Sequence, residues 1–275
     1  MQRSFPRSKR RAVPHPGLPA PVVVGFVALL LAAALSAAAQ PAAVPLAPKA
    51  AVPAPAATAA APAPAAAPAA PEPMRWVILI RHGDYDRDAA ADDRTGNGLN
   101  ALGHEQSQWA GKRLAALPVP VGRLVCSDYT RARETAAEIG ALLGRTAEVD
   151  SLLHECTPQA ARADYMKNHA PEEIAACDAA LQAAWAKYCT PPAAQDTRDV
   201  LVCHGNVIRW FVCRALGADT TRWSSLDIGN GSMTVIQVRA DGSTRLAGFS
   251  DVGHIPPGNQ TSTGRGAGWA LPRSR

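Results

Sequence analysis

The chain has 275 residues and a formal net charge of +5, with five basic residues before Pro14 and three arginines among the last eleven positions. The long middle part is therefore nearly neutral, which excludes the charge pattern of a nucleic-acid-binding protein. Six cysteines are present without any C-x-x-C spacing, so the sequence also lacks the usual ligand pattern of a structural zinc site.

Residues 1–39 have the pattern of a targeting segment. A basic start is followed by the apolar run Val22 to Leu35 and by Ala37-Ala38-Ala39, a small-residue cleavage site. The alternative is an uncleaved membrane anchor, because about 20 apolar residues span a bilayer. That anchor would tether the protein through residues 18–39. In a bacterium, either reading predicts an exported protein that is periplasmic or anchored in the inner membrane facing the periplasm.

The remaining chain divides by composition into three parts. Residues 40–73 are almost wholly alanine, proline and valine, which predicts an extended linker rather than a packed core. Residues 74–258 have the mixed composition of a single folded domain. Residues 259–275 are expected to form a flexible basic tail.

The first predicted strand, residues 75–81, leads into Arg81-His82-Gly83. The apolar run Trp76 to Ile80 predicts a buried strand, which delivers the charged pair to a sheet edge. A histidine can carry a covalent intermediate, and an arginine offers forked donors to a phosphoryl group. A lone histidine at a strand end is more often structural, so this motif depends on support from elsewhere in the chain.

A second strand-to-helix junction follows the predicted helix 102–117. A strand at residues 123–127 leads into a helix at 131–143, whose first turn carries Arg131 and Arg133. Either arginine alone could be a solvated helix residue paired with a glutamate.

Two further elements supply an acid and a second histidine. Glu155 follows the short apolar step Leu152-Leu153, and taken alone it would be a surface residue. A predicted helix at 171–188 leads to a strand at 199–204, which ends in His204-Gly205-Asn206 and enters a helix at 207–216. A hairpin of strands 233–238 and 244–250 follows. Alternating strands and helices predict an α/β fold with a mostly parallel sheet, in which such junctions share one edge.

These motifs together resemble the histidine phosphatase superfamily, with its phosphoglycerate-mutase-like fold. The resemblance covers residues 75–257 and extends in particular to a serine/threonine protein phosphatase of that superfamily. The motifs that carry it are Arg81-His82-Gly83, the set Ser127, Arg131, Ala132 and Thr135, then Glu155, and Cys203-His204-Gly205. The resemblance implies a three-layer fold with a mostly parallel central sheet flanked by helices. It also implies a phosphohistidine mechanism without a metal or other cofactor.

The resemblance also implies roles for the phosphate-binding residues. His82 would be the nucleophile, with His204 beside it in the catalytic set. Arg81, Arg131 and His204 would hold the phosphoryl oxygens, and Asn206 would add a neutral donor. Preorganised cations stabilise the transition state, in which charge spreads over those oxygens.

Glu155 would act as the general acid and then as the base that activates water. That role requires its pKa to rise from the ordinary value of about 4.3. Arg133 is the competing phosphate arginine, but the spacing from Ser127 favours Arg131.

The predicted substrate is phosphoserine or phosphothreonine on a protein. The loop after the nucleophile carries five aspartates over residues 84–93, and residues 164–199 are also acidic, so highly anionic metabolites should be repelled. The alternatives are a small-molecule sugar or metabolite phosphatase and, less favoured, a phosphoglycerate mutase or a non-catalytic phosphate-binding module. The sequence leaves the oligomeric state open.

The cysteines are expected to be mostly core residues. Cys126, Cys203 and Cys213 fall in predicted strands and a helix, where cysteine packs as a small hydrophobe. Cys177 and Cys189 could form a disulfide in an oxidising compartment, but the helix between them should hold them too far apart.

Overall fold

The computed structural model describes residues 72–262. The predicted targeting segment at 1–39, nearly all of the linker at 40–73 and the tail beyond residue 262 lie outside the described residues. Those parts of the chain remain predictions. Within residues 72–262, no helix is both long enough and apolar enough to cross a membrane.

The described residues form a six-stranded sheet with the order β3-β2-β4-β1-β5-β6. Its strands are β1 (Met74–Arg81), β2 (Arg123–Cys126), β3 (Glu148–Val149), β4 (Thr197–Cys203), β5 (Met233–Arg239) and β6 (Thr244–Asp251). Strand β4 is parallel to β1 and β2, and β3 is parallel to β2. The β5–β6 hairpin adds two antiparallel pairings at one side. The predicted α/β fold with a mostly parallel sheet is confirmed.

Each predicted helix is present, with ends shifted by at most two residues. The helices are α1 (Ala101–Ala115), α2 (Thr130–Leu143), α3 (Ala163–Met166), α4 (Pro171–Tyr188) and α5 (Gly205–Ala215). Short 3-10 turns occur at Ser151–Leu153, Thr220–Ser225 and Pro257–Asn259. Helix α3 and strand β3 were not predicted, because four and two residues are too short to show a hydrophobic period.

Alternate residues of the central strands face two separate cores. One face packs against α4 and α5, and its strand residues include Val77, Leu79, Leu201 and Cys203. The other face packs against α1 and α2, and its strand residues include Ile78, Ile80, Val200 and Val202. A sheet buried on both faces requires continuous apolar strands, which explains the runs in β1 and β4. The three-layer arrangement is thus as the resemblance implied.

The parallel strands also align the junctions that carry the candidate residues. Arg81 is paired in register with Cys203, and Cys126 is paired with Val202. The residues that follow these strand ends therefore meet at the same edge of the sheet.

The cysteine expectation is only partly right. Cys126, Cys203 and Cys213 are buried free thiols, as expected. Cys177 does form a disulfide, but its partner is Cys156, 21 residues before it, and Cys189 is a buried free thiol. The pairing depends on where the segment after Leu153 meets α4, and residue spacing holds no information on that contact.

Candidate active site

His82 lies at the end of β1 with its backbone fixed to the neighbouring strand. Its side chain is 2% exposed, and its backbone N–H donates to the Cys203 carbonyl at 3.0 Å. The ring Nδ1 lies 2.8 Å from the Gly83 carbonyl, which only accepts, so Nδ1 carries the proton and Nε2 keeps its lone pair. Burial, reinforced by the charges of Arg81 and Arg131, places the pKa of His82 well below its ordinary value. The imidazole is therefore neutral at pH 7, as a nucleophile must be.

The loop that presents His82 is held by residues to which the sequence analysis gave no role. The Asn230 side-chain amide donates to the carbonyls of His82 and Gly83, at 3.3 Å each. Thr135 Oγ1 accepts the Gly83 N–H at 3.0 Å. A side chain at residue 83 would place its Cβ 2.3 Å from the Gly103 carbonyl oxygen, so only glycine allows this close packing against α1.

Arg81 is a buried cation beside the predicted nucleophile. It is 4% exposed, and its Nη1 donates to the Ile228 carbonyl at 2.6 Å. Its Nε is buried and has no hydrogen-bond partner among the described residues. Burial lowers the pKa of Arg81 to about 10, so the group remains protonated at neutral pH.

Arg131 reaches the same site from the first turn of α2, whereas Arg133 is exposed. Arg131 is 2% exposed, and its Nη atoms contact Asp93. The rings of Tyr85 and Tyr129 each lie 4.9 Å from its guanidinium carbon. Its Nε is also buried without a partner within residues 72–262. Of the two arginines, Arg131 is therefore the buried one, and its role as the phosphate ligand stays a prediction.

His204 is fully buried at the end of β4. Its Nε2 lies 2.8 Å from Ser127 Oγ, and its ring centroid lies 5.2 Å from that of His82. Nδ1 of His204 is a further buried atom without a hydrogen-bond partner in the described part of the chain. Burial, with the nearby charges of Arg131 and Arg81 adding, holds the pKa of His204 well below its ordinary value.

Glu155 meets the condition set for a general acid. Burial raises the pKa of Glu155 to about 7, although the charges of Arg81, Arg131 and Arg209 act in the opposite direction. Its Oε1 is buried with no partner among residues 72–262. The Glu155 carbonyl accepts a hydrogen bond from the Tyr129 hydroxyl at 3.3 Å, which holds the backbone in place. Near neutral pH this carboxyl is poised to give or take a proton.

The structure places the Asn206 side chain differently from the prediction. Its amide donates to the Cys156 carbonyl at 2.9 Å, and its Oδ1 accepts from Arg209 Nη1 at 3.2 Å. One amide hydrogen therefore braces the segment after Glu155, a contact that the prediction did not include, and donation by the second hydrogen to phosphate stays a prediction. Sequence spacing could not reveal this, because Cys156 is 50 residues away along the chain.

Arg209 is a further arginine near the site, in addition to Arg81 and Arg131, and the sequence analysis overlooked it. It is 8% exposed on α5, and its Nη2 lies 3.7 Å from Asp227 Oδ1. A Cβ built on Gly205 would lie 3.7 Å from Arg81 Nε and 3.8 Å from Arg209 Nη1, so both guanidinium groups flank the N-terminus of α5. Helix N-termini favour anions, and the two cations strengthen that preference. The signal was present in the sequence as a charge amid the apolar residues Val207 to Val212 of this helix.

The loop after the nucleophile is less repulsive than its five aspartates suggest. Asp92 accepts from the backbone and hydroxyl of Thr95, and Asp93 pairs with Arg131. Arg94 pairs with Asp128 at 2.6 Å. Part of the loop's charge is thus neutralised within the fold.

The assembled site contains cations, histidines and one acid. The described part of the chain holds no group of three or more His, Cys, Asp or Glu side chains arranged to bind a metal ion. The buried cations near His82 are the guanidinium groups of Arg81 and Arg131.

Comparison with protein-family models matches residues 77–251 to the histidine phosphatase superfamily, branch 1. The chain belongs to this superfamily. Solved structures support the fold alone: a phosphoserine phosphatase from Entamoeba histolytica has a TM-score of 0.50 at 17% identity, covering 66% of this chain and 100% of that one. A putative alpha-ribazole-5'-P phosphatase from Escherichia coli has the same TM-score and identity, covering 66% of this chain and 98% of that one.

Among curated proteins, this superfamily member is similar to the serine/threonine-protein phosphatase PGAM5. Identity is 36% over 191 residues to the rat and human proteins, and 33% over 190 residues to the Caenorhabditis elegans protein. The match covers 66% of this chain and 65%, 64% and 65% of those proteins, in the same order. The chain thus spans slightly less than two thirds of these relatives.

The same relatives correct the predicted location. All three are named as mitochondrial proteins, which points away from the periplasm. The prediction of an exported, periplasmic or inner-membrane-anchored protein is wrong by this comparison. It rested on the composition of residues 1–39 and on a bacterial source, and a basic, apolar and alanine-rich segment does not by itself specify a compartment.

Proposed function

We propose that this protein is a phosphomonoester hydrolase that forms a phosphohistidine on His82 and acts on phosphoserine or phosphothreonine in proteins. One observation carries the proposal. Arg81 Nε, Arg131 Nε, His204 Nδ1 and Glu155 Oε1 are all buried without a hydrogen-bond partner among the described residues. Unpaired buried polar atoms are costly, and a phosphoryl group offers oxygens that accept from the three nitrogens at once.

The proposed reaction has two balanced steps. His82 Nε2 attacks phosphorus, the bond from phosphorus to the leaving oxygen breaks, and protonated Glu155 gives its proton to that oxygen. The Glu155 carboxylate then takes a proton from water, whose oxygen attacks phosphorus and breaks the bond to His82. Arg81, Arg131 and His204 stabilise the charge that develops on the phosphoryl oxygens in both steps.

The substrate class comes from the relatives and from the electrostatics of the rim. The PGAM5 relatives are named as serine/threonine-protein phosphatases. The exposed aspartates Asp86 and Asp88 disfavour substrates with several phosphates. A small phosphomonoester is the second candidate, because the three buried nitrogens address the phosphoryl group and Glu155 addresses the leaving oxygen, and none of these atoms specifies the rest of the leaving group.

We extend the proposal to the rest of the chain on the same basis. Residues 74–258 would form the catalytic domain, preceded by the linker at 40–73. The predicted tail at 259–275 would begin only after residue 262, because Gln260 is buried and donates to the carbonyls of Val252 and Ile255. A membrane tether through residues 18–39 remains a proposal from composition. A mitochondrial location, as in the relatives' names, replaces the earlier expectation.

The deciding experiment compares substrates on the full-length protein in buffer with EDTA. We expect a higher kcat/KM for phosphoserine and phosphothreonine peptides than for sugar phosphates, and we expect EDTA to leave the rate unchanged because arginines supply the positive charge. A preference for sugar phosphates would favour the second candidate function, hydrolysis of small phosphomonoesters. Failure to hydrolyse any phosphomonoester would refute the proposed function.

A further inference from the structure

Asp93 makes an extended contact with the buried guanidinium of Arg131. Arg131 Nη1 donates to the Asp93 backbone carbonyl at 2.8 Å and to its Oδ1 at 3.2 Å. Arg131 Nη2 donates to Asp93 Oδ2 at 3.3 Å. The carboxylate of Asp93 therefore bridges Nη1 and Nη2, and its backbone carbonyl gives Nη1 a further acceptor.

Two aromatic rings also lie close to the same guanidinium group. Tyr85 and Tyr129 place their rings 4.9 Å from its central carbon. Both Nη atoms donate to Asp93, whereas Nε is buried without a partner within residues 72–262. A planar fork held on one edge and flanked by rings has little freedom to rotate.

The loop around Asp93 is itself fixed by local contacts. The Gly96 N–H donates to the Asp92 carbonyl at 2.8 Å, and Arg94 pairs with Asp128 at the start of α2. These contacts therefore fix the position of Asp93 relative to Arg131. The Asp93 side chain is 51% exposed, so its replacement leaves no cavity in the core.

We infer that Asp93 is a positioning residue that holds Arg131 with its Nε edge turned toward the phosphoryl group. The inference rests on the proposed function and adds a residue to the same site. Asp93 and phosphate would use different edges of Arg131, so both can contact it at once. A carboxylate that competed with substrate would instead occupy the Nε edge.

The test measures binding of inorganic phosphate to the full-length protein by calorimetry, together with KM for nitrophenyl phosphate. In Asp93→Ala, we expect the Kd for phosphate and the KM for nitrophenyl phosphate to rise about 10-fold. A rise of this size corresponds to the loss of one well-placed charged hydrogen bond. Asp93→Asn keeps an acceptor oxygen beside Nη1 and should therefore weaken phosphate binding less than Asp93→Ala does. Asp241→Asn is the matched control, because Asp241 is exposed in the β5–β6 turn at the opposite edge of the sheet and its carboxylate accepts from the nearby Ser243 N–H.

A double-mutant cycle then asks whether Asp93 acts through Arg131. Adding Asp93→Ala to Arg131→Ala should cause no further loss of phosphate affinity. A further loss would overturn the inference, as would wild-type affinity in Asp93→Ala or tighter phosphate binding in that variant. If Asp93→Ala fails to fold, Asp93→Asn carries the same test. Absence of phosphate binding by the wild-type protein would instead refute the proposed function.

Discussion

Ser127 Oγ and His204 Nε2 lie 2.8 Å apart at the edge of the sheet, and this contact allows the histidine to keep its proton on Nδ1. Ser127 Oγ also accepts the backbone N–H of Tyr129 at 3.3 Å, so its own proton is free to go to Nε2. His204 then carries its proton on Nδ1, the buried atom without a partner in the described chain. A neutral imidazole in this tautomer donates to a phosphoryl oxygen without bringing a titrating charge.

The first prediction concerns the proposed nucleophile. His82→Ala should abolish hydrolysis of nitrophenyl phosphate, because the covalent route requires the imidazole. Rapid acid quench with labelled substrate should trap an acid-labile phosphohistidine in the wild-type protein and none in the variant. His104→Ala is the matched control, since that side chain is partly exposed and pairs with Glu138. Substantial turnover by His82→Ala would contradict the mechanism.

A second prediction separates the acid from the phosphate ligands. Glu155→Gln should lower kcat/KM for a phosphoserine peptide by about 10²–10⁴-fold, because an alkoxide leaving group needs a proton. Nitrophenyl phosphate should lose much less, since nitrophenolate leaves without one. Equal losses for the two substrates would show that Glu155 serves only to pair with the site arginines.

The pH profile provides an independent measure of Glu155. Because burial raises the pKa of Glu155 to about 7, the acid is protonated below that pH and lost above it. We expect kcat/KM for the phosphoserine peptide to fall as pH rises through about 7, and Glu155→Gln to remove that limb. The pKa values of His82 and His204 are lowered by burial, so neither should add a limb near pH 6.5. A profile that is flat between pH 6 and 8 would be inconsistent with the acid role.

The two arginines of the α2 first turn offer a matched pair of variants. Arg131→Ala removes a buried cation from the phosphoryl site, and we expect kcat/KM to fall about 10²–10³-fold for alkyl and aryl substrates alike. Arg133→Ala removes an exposed cation two residues later and should leave both rates near the wild-type value. Steady-state kinetics on both substrates makes the comparison, and a larger loss in Arg133→Ala would reverse the assignment.

The last prediction concerns the Cys156–Cys177 disulfide. It ties the residue after Glu155 to α4, so Cys177→Ser should lower the free energy of unfolding by about 2–4 kcal/mol. Urea unfolding with and without a dithiol reductant measures the effect. Reductant should destabilise the wild-type protein and leave Cys177→Ser unchanged. The same response to reductant in both proteins would place the sensitivity elsewhere.

The sequence alone was sufficient for all the longer elements, α3 and β3 excepted, and for the edge of the sheet where the candidate site forms. The runs in β1 and β4 and the apolar period of α4 are local signals, and parallel strands must end together, so His82, Arg131 and His204 could be expected at one edge. Contacts between residues that are far apart in the chain could be determined only from the tertiary structure. Glu155 acquires its pKa from burial among elements far apart in the chain, and Asn206 turns to Cys156 because that carbonyl is within reach. The ion pair between Asp93 and Arg131 and the disulfide between Cys156 and Cys177 likewise depend on how the loops pack. Desolvation and side-chain contacts are determined by neighbours in space, and such neighbours produce no periodic pattern in the sequence.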